Sequence, residues 1–378
     1  MRFVLYLLTI LFFISCSTPF NIFLNEGDNV NERNEKLMKD DFKLEEDVFK
    51  KFQENPTKVQ TQDAVEVIKK EQVPPVRKAI RPKPTTRKFI KKTPKKKIEH
   101  KNNSKTAQIL VVNETKKEVL EKTDLFPDDY PAKLKKLNEK TAVFWNTFTP
   151  ALNEGEETVL NIEYMGVSTG KITIKTLADT RLGDTDVYHL HARVKTAKFY
   201  SYLYEVDDVC DSYVRKQDFT PLKFSLIQRQ TSQDVDDLQL FDLKKLKTYT
   251  FYKRVTKKKT KKKKKVEFIP QFFQDPISVL YFIRGLPMKK AMLYSIPIVN
   301  HGKVEMLTAQ YEKTELIETK LGKKRAYKVK VNTQHEGETL KGGNMTFWFS
   351  ADEKRIFLRF KAKIKIGSVS GEVDSHKE

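Results

Sequence analysis

Eight lysines crowd into the nine residues 257–265, within the stretch RVTKKKTKKKKKVEF. Ammonium groups at that spacing repel one another and are strongly hydrated, so their chemistry is the binding of anions, phosphates above all. Two other groupings could do different chemistry. His189 and His191 stand two apart, which on a strand puts both imidazoles on one face, a spacing that can supply two metal ligands. No third ligand follows nearby, and the pair reads as exposed surface histidines. Asp207, Asp208 and Asp211 surround Cys210, but a calcium loop needs oxygen ligands at regular spacing around a glycine turn, and none is present. These aspartates read as a turn between strands, as do Asp234, Asp236 and Asp237. The chain holds no phosphate-cradling glycine loop, nucleophile elbow, zinc-helix motif or Cys-x-x-Cys pair. The expectation is a non-enzymatic protein with no catalytic residues, no metal site and no cofactor.

What the lysines bind depends on where the protein works. The 378 residues carry a formal net charge of +22. Such an excess favours a polyanionic partner: nucleic acid, an anionic membrane surface or an anionic polysaccharide. The opening MRFVLYLLTILFFISCSTPF has one basic residue, Arg2, then an apolar run from Phe3 to Ile14. About a dozen apolar residues are too few to span a bilayer comfortably, and they match the core of a secretory signal. Export removes nucleic acid from the expected partners. Cys16, directly after the run, resembles the lipid-modified cysteine of bacterial lipoproteins, although Phe13 stands where that pattern prefers Leu. An ordinary signal peptide with a chance cysteine stays open. Ser17 resembles the sorting pattern for the outer membrane, because the retention signal for the inner membrane is Asp. The resemblance implies an outer-membrane anchor facing the periplasm, with secretion or an inner-membrane anchor as alternatives. If Cys16 carries lipid, Cys210, the second of two cysteines, has no disulfide partner and reads as a buried structural thiol.

Composition divides the rest. Residues 17–72 are charge-mixed, with Leu37, Phe42, Leu44, Val48 and Phe52 at rough helical spacing, so the segment reads as partly helical or disordered. Residues 73–136 include PPVRKAIRPKPTTRKFIKKTPKKK and read as a disordered Lys/Pro-rich linker. The chain from 17 to 136 would reach about 60 Å as a flexible coil.

The folded part, 137–375, alternates with period two almost throughout. TVLNIEY (158–164) and GKITIKT (170–176) form a hairpin, and VYHLHARV (187–194) puts Tyr188, Leu190, Ala192 and Val194 on one face. LKFSLIQ (222–228) and KTYTFYKRV (247–255) continue the pattern, and further hairpins turn at 300–303 and 321–324. One helix is predicted over 274–285: Asp275 caps it, Pro276 fits its first turn and Gly285 ends it. In the stretch RIFLRFKAKIKI, Ile356, Leu358, Phe360, Ala362, Ile364 and Ile366 alternate with Arg355, Phe357, Arg359, Lys361, Lys363 and Lys365. The basic side is either a solvated outer face or, with Lys257, Lys258, Lys259, Lys261, Lys262, Lys263, Lys264 and Lys265, one anion-binding patch. The lysine run itself reads as a long flexible hairpin tip. The fold class is mainly β: a curved antiparallel sheet or incomplete barrel with one main helix. The aromatics Phe199, Tyr200, Tyr202, Tyr204, Tyr213, Phe272, Phe273, Tyr281 and Phe282 either fill its core or line a slot for an apolar ligand.

The pieces GEETVLNIEYMGVSTGKITI, PLKF, QDPISVLYFIRGL and MTFWFSADEKRIFLRFKAKIKIGSVSGEV, in that order, resemble a family of bacterial exported proteins, domain of unknown function 3108. The resemblance covers about residues 145 to 373. It implies an envelope protein without established enzymatic activity and a curved sheet similar to the half-barrels of lipoprotein carriers. The expected function is a lipoprotein module that binds or carries a lipid-like or anionic ligand, with anionic headgroups, lipopolysaccharide or cell-wall polymer as partners. A structural tether between outer membrane and cell-wall polymer is the alternative, and nucleic-acid binding the remote one.

Overall fold

The alternating apolar positions from residue 157 onward do pair as strands, each antiparallel to the next in sequence except at the break between β9 and β10, while the last strand pairs with β2. The computed structural model describes residues 30–43, 50–56, 126–290, 292–335, 338–364 and 367–378. The first of these form helix α1 (Val30–Lys36), a π-helical turn (Leu37–Asp41), a 3-10 turn (Lys50–Phe52) and strand β1 (Glu54–Pro56). Helix α2 (Ala132–Trp145) precedes the meander. The meander runs through β2 (Glu157–Tyr164), β3 (Val167–Leu182), β4 (Thr185–Thr196), a short helix α3 (Lys198–Ser201), β5 (Val206–Arg215), β6 (Pro221–Gln230), β7 (Gln233–Asp242), β8 (Lys247–Val255) and β9 (Thr260–Phe268). After helix α4 (Ser278–Gly285) come β10 (Leu293–Asn300), β11 (Lys303–Thr319), β12 (Gly322–His335), β13 (Glu338–Ser350), β14 (Phe357–Lys363) and β15 (Ser368–Lys377).

The sheet order is β10 to β15, then β2 to β9, so β9 and β10 are its two edges, Gln274 bridging β10 at Ile298, and the sheet is not closed into a barrel. Because the strands alternate in direction, every second connection falls at the same end. The turns at 165–166, 197–205, 231–232 and 256–259 therefore share one end, here termed the open end, whereas the β10–β11 turn at 301–302 packs against Asp237, Thr250 and Glu267. The opposite end carries helices α2 and α4. Trp145 of α2 donates its indole N–H to the Asp218 carbonyl at 3.3 Å, and Tyr130 donates its hydroxyl to the Ile269 carbonyl at 2.9 Å. Arg284 of α4 is clamped by Glu156 at 2.6 and 3.0 Å and by the Lys354 carbonyl at 2.6 Å.

Helix α4 is capped as its sequence requires. Asp275 accepts the amides of Ile277 and Ser278, both at 2.8 Å, while Ser278 Oγ accepts the Asp275 amide at 2.9 Å. This reciprocal arrangement fills two otherwise orphaned donors. Gly285 is needed for a reason other than helix ending: a Cβ there would lie 2.3 Å from the Phe148 ring and 2.4 Å from the Thr149 carbonyl. The predicted single main helix is thus joined by a longer one, α2, and ordered structure begins before residue 137. Trp145, Phe148, Phe219 and Phe282 stack with centroids 4.3 to 6.4 Å apart, and with Phe224, Phe273 and Phe349 they fill the interior at the helical end. The core there is packed rather than a slot.

The outer face of β4 to β8 is also covered. Leu37, Met38 and Phe52 pack on Val187, Tyr213, Leu238, Leu240 and Phe251, so these strands are buried on both sides. That cover explains why strand residues on both alternating faces of β5 and β6 are buried. In β14 the alternation breaks. Trp348 pairs with Arg359 but Phe349 with Phe357, leaving Leu358 as the extra residue of a bulge. Phe357, Phe360 and Ala362 then join the main core, whereas Ile356 and Leu358 pack with Ile317, Trp348 and Val373 on the other side. The single apolar face expected there is two half-faces, and the last strand is β15.

Candidate anion-binding site

The lysine run is a hairpin, but not a long flexible tip. β8 and β9 pair from Lys247–Phe268 to Val255–Thr260, and only residues 256–259 turn. Thr256 holds that turn, its amide donating to the Lys259 carbonyl at 3.0 Å and its hydroxyl accepting the Lys259 amide at 3.1 Å. Lys257, Lys258 and Lys259 are exposed at the tip, and Lys261 to Lys265 lie on the free edge strand β9. Lysines along such an edge oppose pairing with another chain. Lys262 pairs with Asp41 at 2.8 Å, and Lys264 lies over the Phe251 ring at 5.9 Å.

Beside the tip lies a groove of about 210 Å³ lined by Gln230, Thr231, Ser232, Gln233, Asp234, Val255, Thr256 and Lys257. It runs between the β6–β7 and β8–β9 turns, at the open end. Its floor is tied to the interior: Gln230 Nε2 donates to Asp208 at 2.8 Å, as does Gln228 Nε2, and Tyr204 donates to Gln230 Oε1 at 3.2 Å. Burial pushes the Asp208 carboxyl up to about 7 despite those bonds. Asp275 is likewise pushed up by burial, to about 6, against the bonds from Ser212 and the α4 amides.

Asp207, Asp208 and Asp211 lie on strand β5 and Asp234, Asp236 and Asp237 on β7, so the expected turns are strands whose polar residues pair across the sheet. Cys210 packs against the core, and burial together with Asp208 and Asp211 holds its thiol well above its usual range. His189 and His191 are not exposed. Both contact Asp211 Oδ1, at 2.7 and 3.0 Å, and His189 stacks on Tyr213 at 4.2 Å. Burial alone would raise Asp211, but the two histidine bonds outweigh it and bring the carboxyl down to about 2. The group is a clamp for the N-terminal piece: Tyr213 donates to Glu54 at 3.0 Å, Lys223 to Asn31 at 2.9 Å and Ser225 to Asn34 at 2.9 Å. Burial lowers Lys223 to about 8. Among the described residues, no group of three or more His, Cys, Asp or Glu side chains could hold a metal ion.

The second half of the expected patch is elsewhere. Arg359, Lys361 and Lys363 stand on β14, with eight strands between it and β9 in the sheet. Arg359 is neutralised by Glu372 at 2.9 Å, while Lys361 and Lys363 are exposed. The basic residues therefore do not form one ladder. Cys16, Lys365 and linker residues 73–125 lie outside the described residues.

Two of the aromatics expected to fill the core or line a slot surface instead at the open end. Phe199 and Tyr202, in the β4–β5 connection, are 76 and 84% exposed, and Leu203 beside them is 78% exposed. The stretch KFYSYLY lacks the period-two alternation of its neighbours, which is the signal that could have separated it from the core aromatics.

The family model described as "Protein of unknown function (DUF3108)" matches residues 159–374. No curated protein matches the chain. Among solved structures it is similar to the β-barrel-like protein of domain of unknown function DUF1849 from Brucella abortus, with 11% identity and a TM-score of 0.41, over 61% of this chain and 99% of that one. A candidate exported protein with a YmcC-like fold from Bacteroides fragilis matches with 10% identity and a TM-score of 0.28, over 61% and 100%. A candidate lipoprotein from Parabacteroides distasonis matches with 14% identity and a TM-score of 0.29, over 61% and 99%.

Proposed function

The chain belongs to the DUF3108 family, and we propose that it is a non-enzymatic binding module of the cell envelope that takes an anionic, phosphate-bearing ligand at the open end of its sheet. The observation that carries this reading is the β8–β9 hairpin: Lys257, Lys258 and Lys259 stand exposed at its tip beside the groove floored by Gln230. Clustered ammonium groups repel one another, an anion shared between them relieves that repulsion, and a groove with amide and hydroxyl groups adds donors for phosphate oxygens. The helical end is packed with stacked aromatics, which favours recognition of a headgroup over carriage inside the fold.

The apolar leader ending at Cys16 supports a location in the envelope, with a lipid on Cys16 holding the protein to the outer membrane and the domain facing the periplasm. Cys16→Ser is then expected to move the protein from the membrane fraction to the soluble envelope fraction. Binding itself is tested on full-length protein carrying Cys16→Ser, so that no acyl anchor of its own holds it to a vesicle. Vesicles of phosphatidylglycerol, purified lipopolysaccharide and phosphate-free cell wall are compared. Capture by the first two, lost in Lys257→Ser/Lys258→Ser/Lys259→Ser, supports the reading; capture by the phosphate-free wall alone would replace it with a structural tether.

A further inference from the structure

Nine large hydrophobic residues are exposed among the described residues, and five of them, Met165, Val167, Phe199, Tyr202 and Leu203, belong to two neighbouring connections at the open end. Scattered exposed hydrophobics need no account, but this clustering does. Met165 and Val167, 65 and 48% exposed, flank the β2–β3 turn, and the other three occupy the β4–β5 connection alongside it.

The β4–β5 connection is held outward by its two legs. On one side the Ala197 amide donates to the Thr169 carbonyl at 2.8 Å. On the other the Glu205 amide donates to Thr231 Oγ1 at 2.8 Å, and Tyr204 meets Ser232 Oγ at 2.8 Å. Pinned at both feet, Phe199, Tyr202 and Leu203 project from the end of the sheet instead of folding back on the core. Exposed Lys195 and Lys198 flank them, and Lys257, Lys258 and Lys259 stand on a turn at the same end. The acids there are fewer: exposed Glu163, half-buried Glu205 and Asp234, and buried Asp207, which pairs with Lys195 at 3.4 Å.

We propose that the open end of the sheet docks on an anionic phospholipid bilayer, with the side chains of Phe199, Tyr202, Leu203 and Met165 inserted among the headgroups and the lysines of the same end on the phosphates. The proposal rests on the anion-binding reading and names its partner. Separate convex tips suit a deformable layer, whereas a protein partner needs a continuous complementary surface. Aromatic and leucine side chains ringed by lysine are the composition that lies at a bilayer interface.

The test uses full-length Cys16→Ser protein and vesicles of phosphatidylglycerol with phosphatidylcholine. Phe199→Ser/Tyr202→Ser/Leu203→Ser, all at exposed positions, is expected to fold as the parent and to bind these vesicles about tenfold more weakly. Leu203→Trp gives an independent readout, since Trp145 and Trp348 are both buried; its emission is expected to shift to shorter wavelength on vesicles. Binding unchanged in the triple serine variant, together with no shift for Leu203→Trp, overturns the docking. If the lysine-tip variant nevertheless loses vesicle binding, the anion reading survives that failure. If instead the lysine-tip variant binds as the parent while the serine variant does not, the docking stands and the lysine reading falls.

Discussion

At Asp208, burial and hydrogen bonding oppose each other, and burial wins, leaving its carboxyl near 7. An unfolded aspartate titrates near 3.9, so between about pH 4 and 7 the folded protein keeps a proton that the unfolded chain has released. Stability must fall as pH rises through that window, by at most about 1.4 kcal/mol per pH unit for this one group. Asp275, near 6, adds to the fall over the lower part of the window. Urea titrations at stepped pH should show a shallower decline for Asp208→Asn than for the parent; an equal slope would mean Asp208 is ionised in the folded state. Asp211 has the opposite sign. Held near 2 by His189 and His191, it contributes stability above about pH 4 that disappears as pH falls toward 2. Elsewhere, the Arg284–Glu156 pair is buried on both sides. Arg284→Met leaves a lone buried carboxylate and should cost about 3 to 5 kcal/mol in urea denaturation, whereas a cost under about 1 kcal/mol would imply that water reaches Glu156.

At the scale of elements, two pieces behave unlike their sequence. β9 has no apolar alternation because, as an edge strand, it has little core to face, so TKKKKKVEF gives no strand signal although it pairs residue by residue with β8. Replacing Lys261, Lys263 and Lys265 by Val should leave the fold in place and expose a pairing edge; size-exclusion chromatography should show oligomers absent from the parent, and a purely monomeric variant would contradict the edge role. The N-terminal piece is the other case. Leu37 and Phe52 were legible as rough helical spacing and Met38 was not, nor was what they cover, because covering depends on contacts more than 100 residues away. That missing cover is also why His189 reads as exposed and the β5 aspartates read as a turn. Leu37→Ala should destabilise the protein by about 2 to 5 kcal/mol, as measured by thermal or urea unfolding; no change would show that the piece is not bound to the sheet. By contrast, the hairpin of β2 and β3 and the Asp275 cap were readable directly, since alternation and capping are local rules.

The sheet domain has two unlike ends. Helices α2 and α4, the Arg284–Glu156 clamp and stacked aromatics fill one. The other gathers exposed lysines, a polar groove and projecting apolar side chains, and this asymmetry was invisible in the sequence because it follows from strand direction, not from composition. The central claim is that this end binds phosphate-bearing surfaces through its lysines. It is tested most directly by measuring how full-length Cys16→Ser protein binds phosphatidylglycerol vesicles as salt rises from about 0.05 to 0.5 M, where screening shortens to a few Å. The account predicts tight binding at low salt, a steep decline with salt and a smaller slope for Lys257→Ser/Lys258→Ser/Lys259→Ser. A slope identical in parent and variant, or equal binding to phosphatidylcholine vesicles, would contradict it.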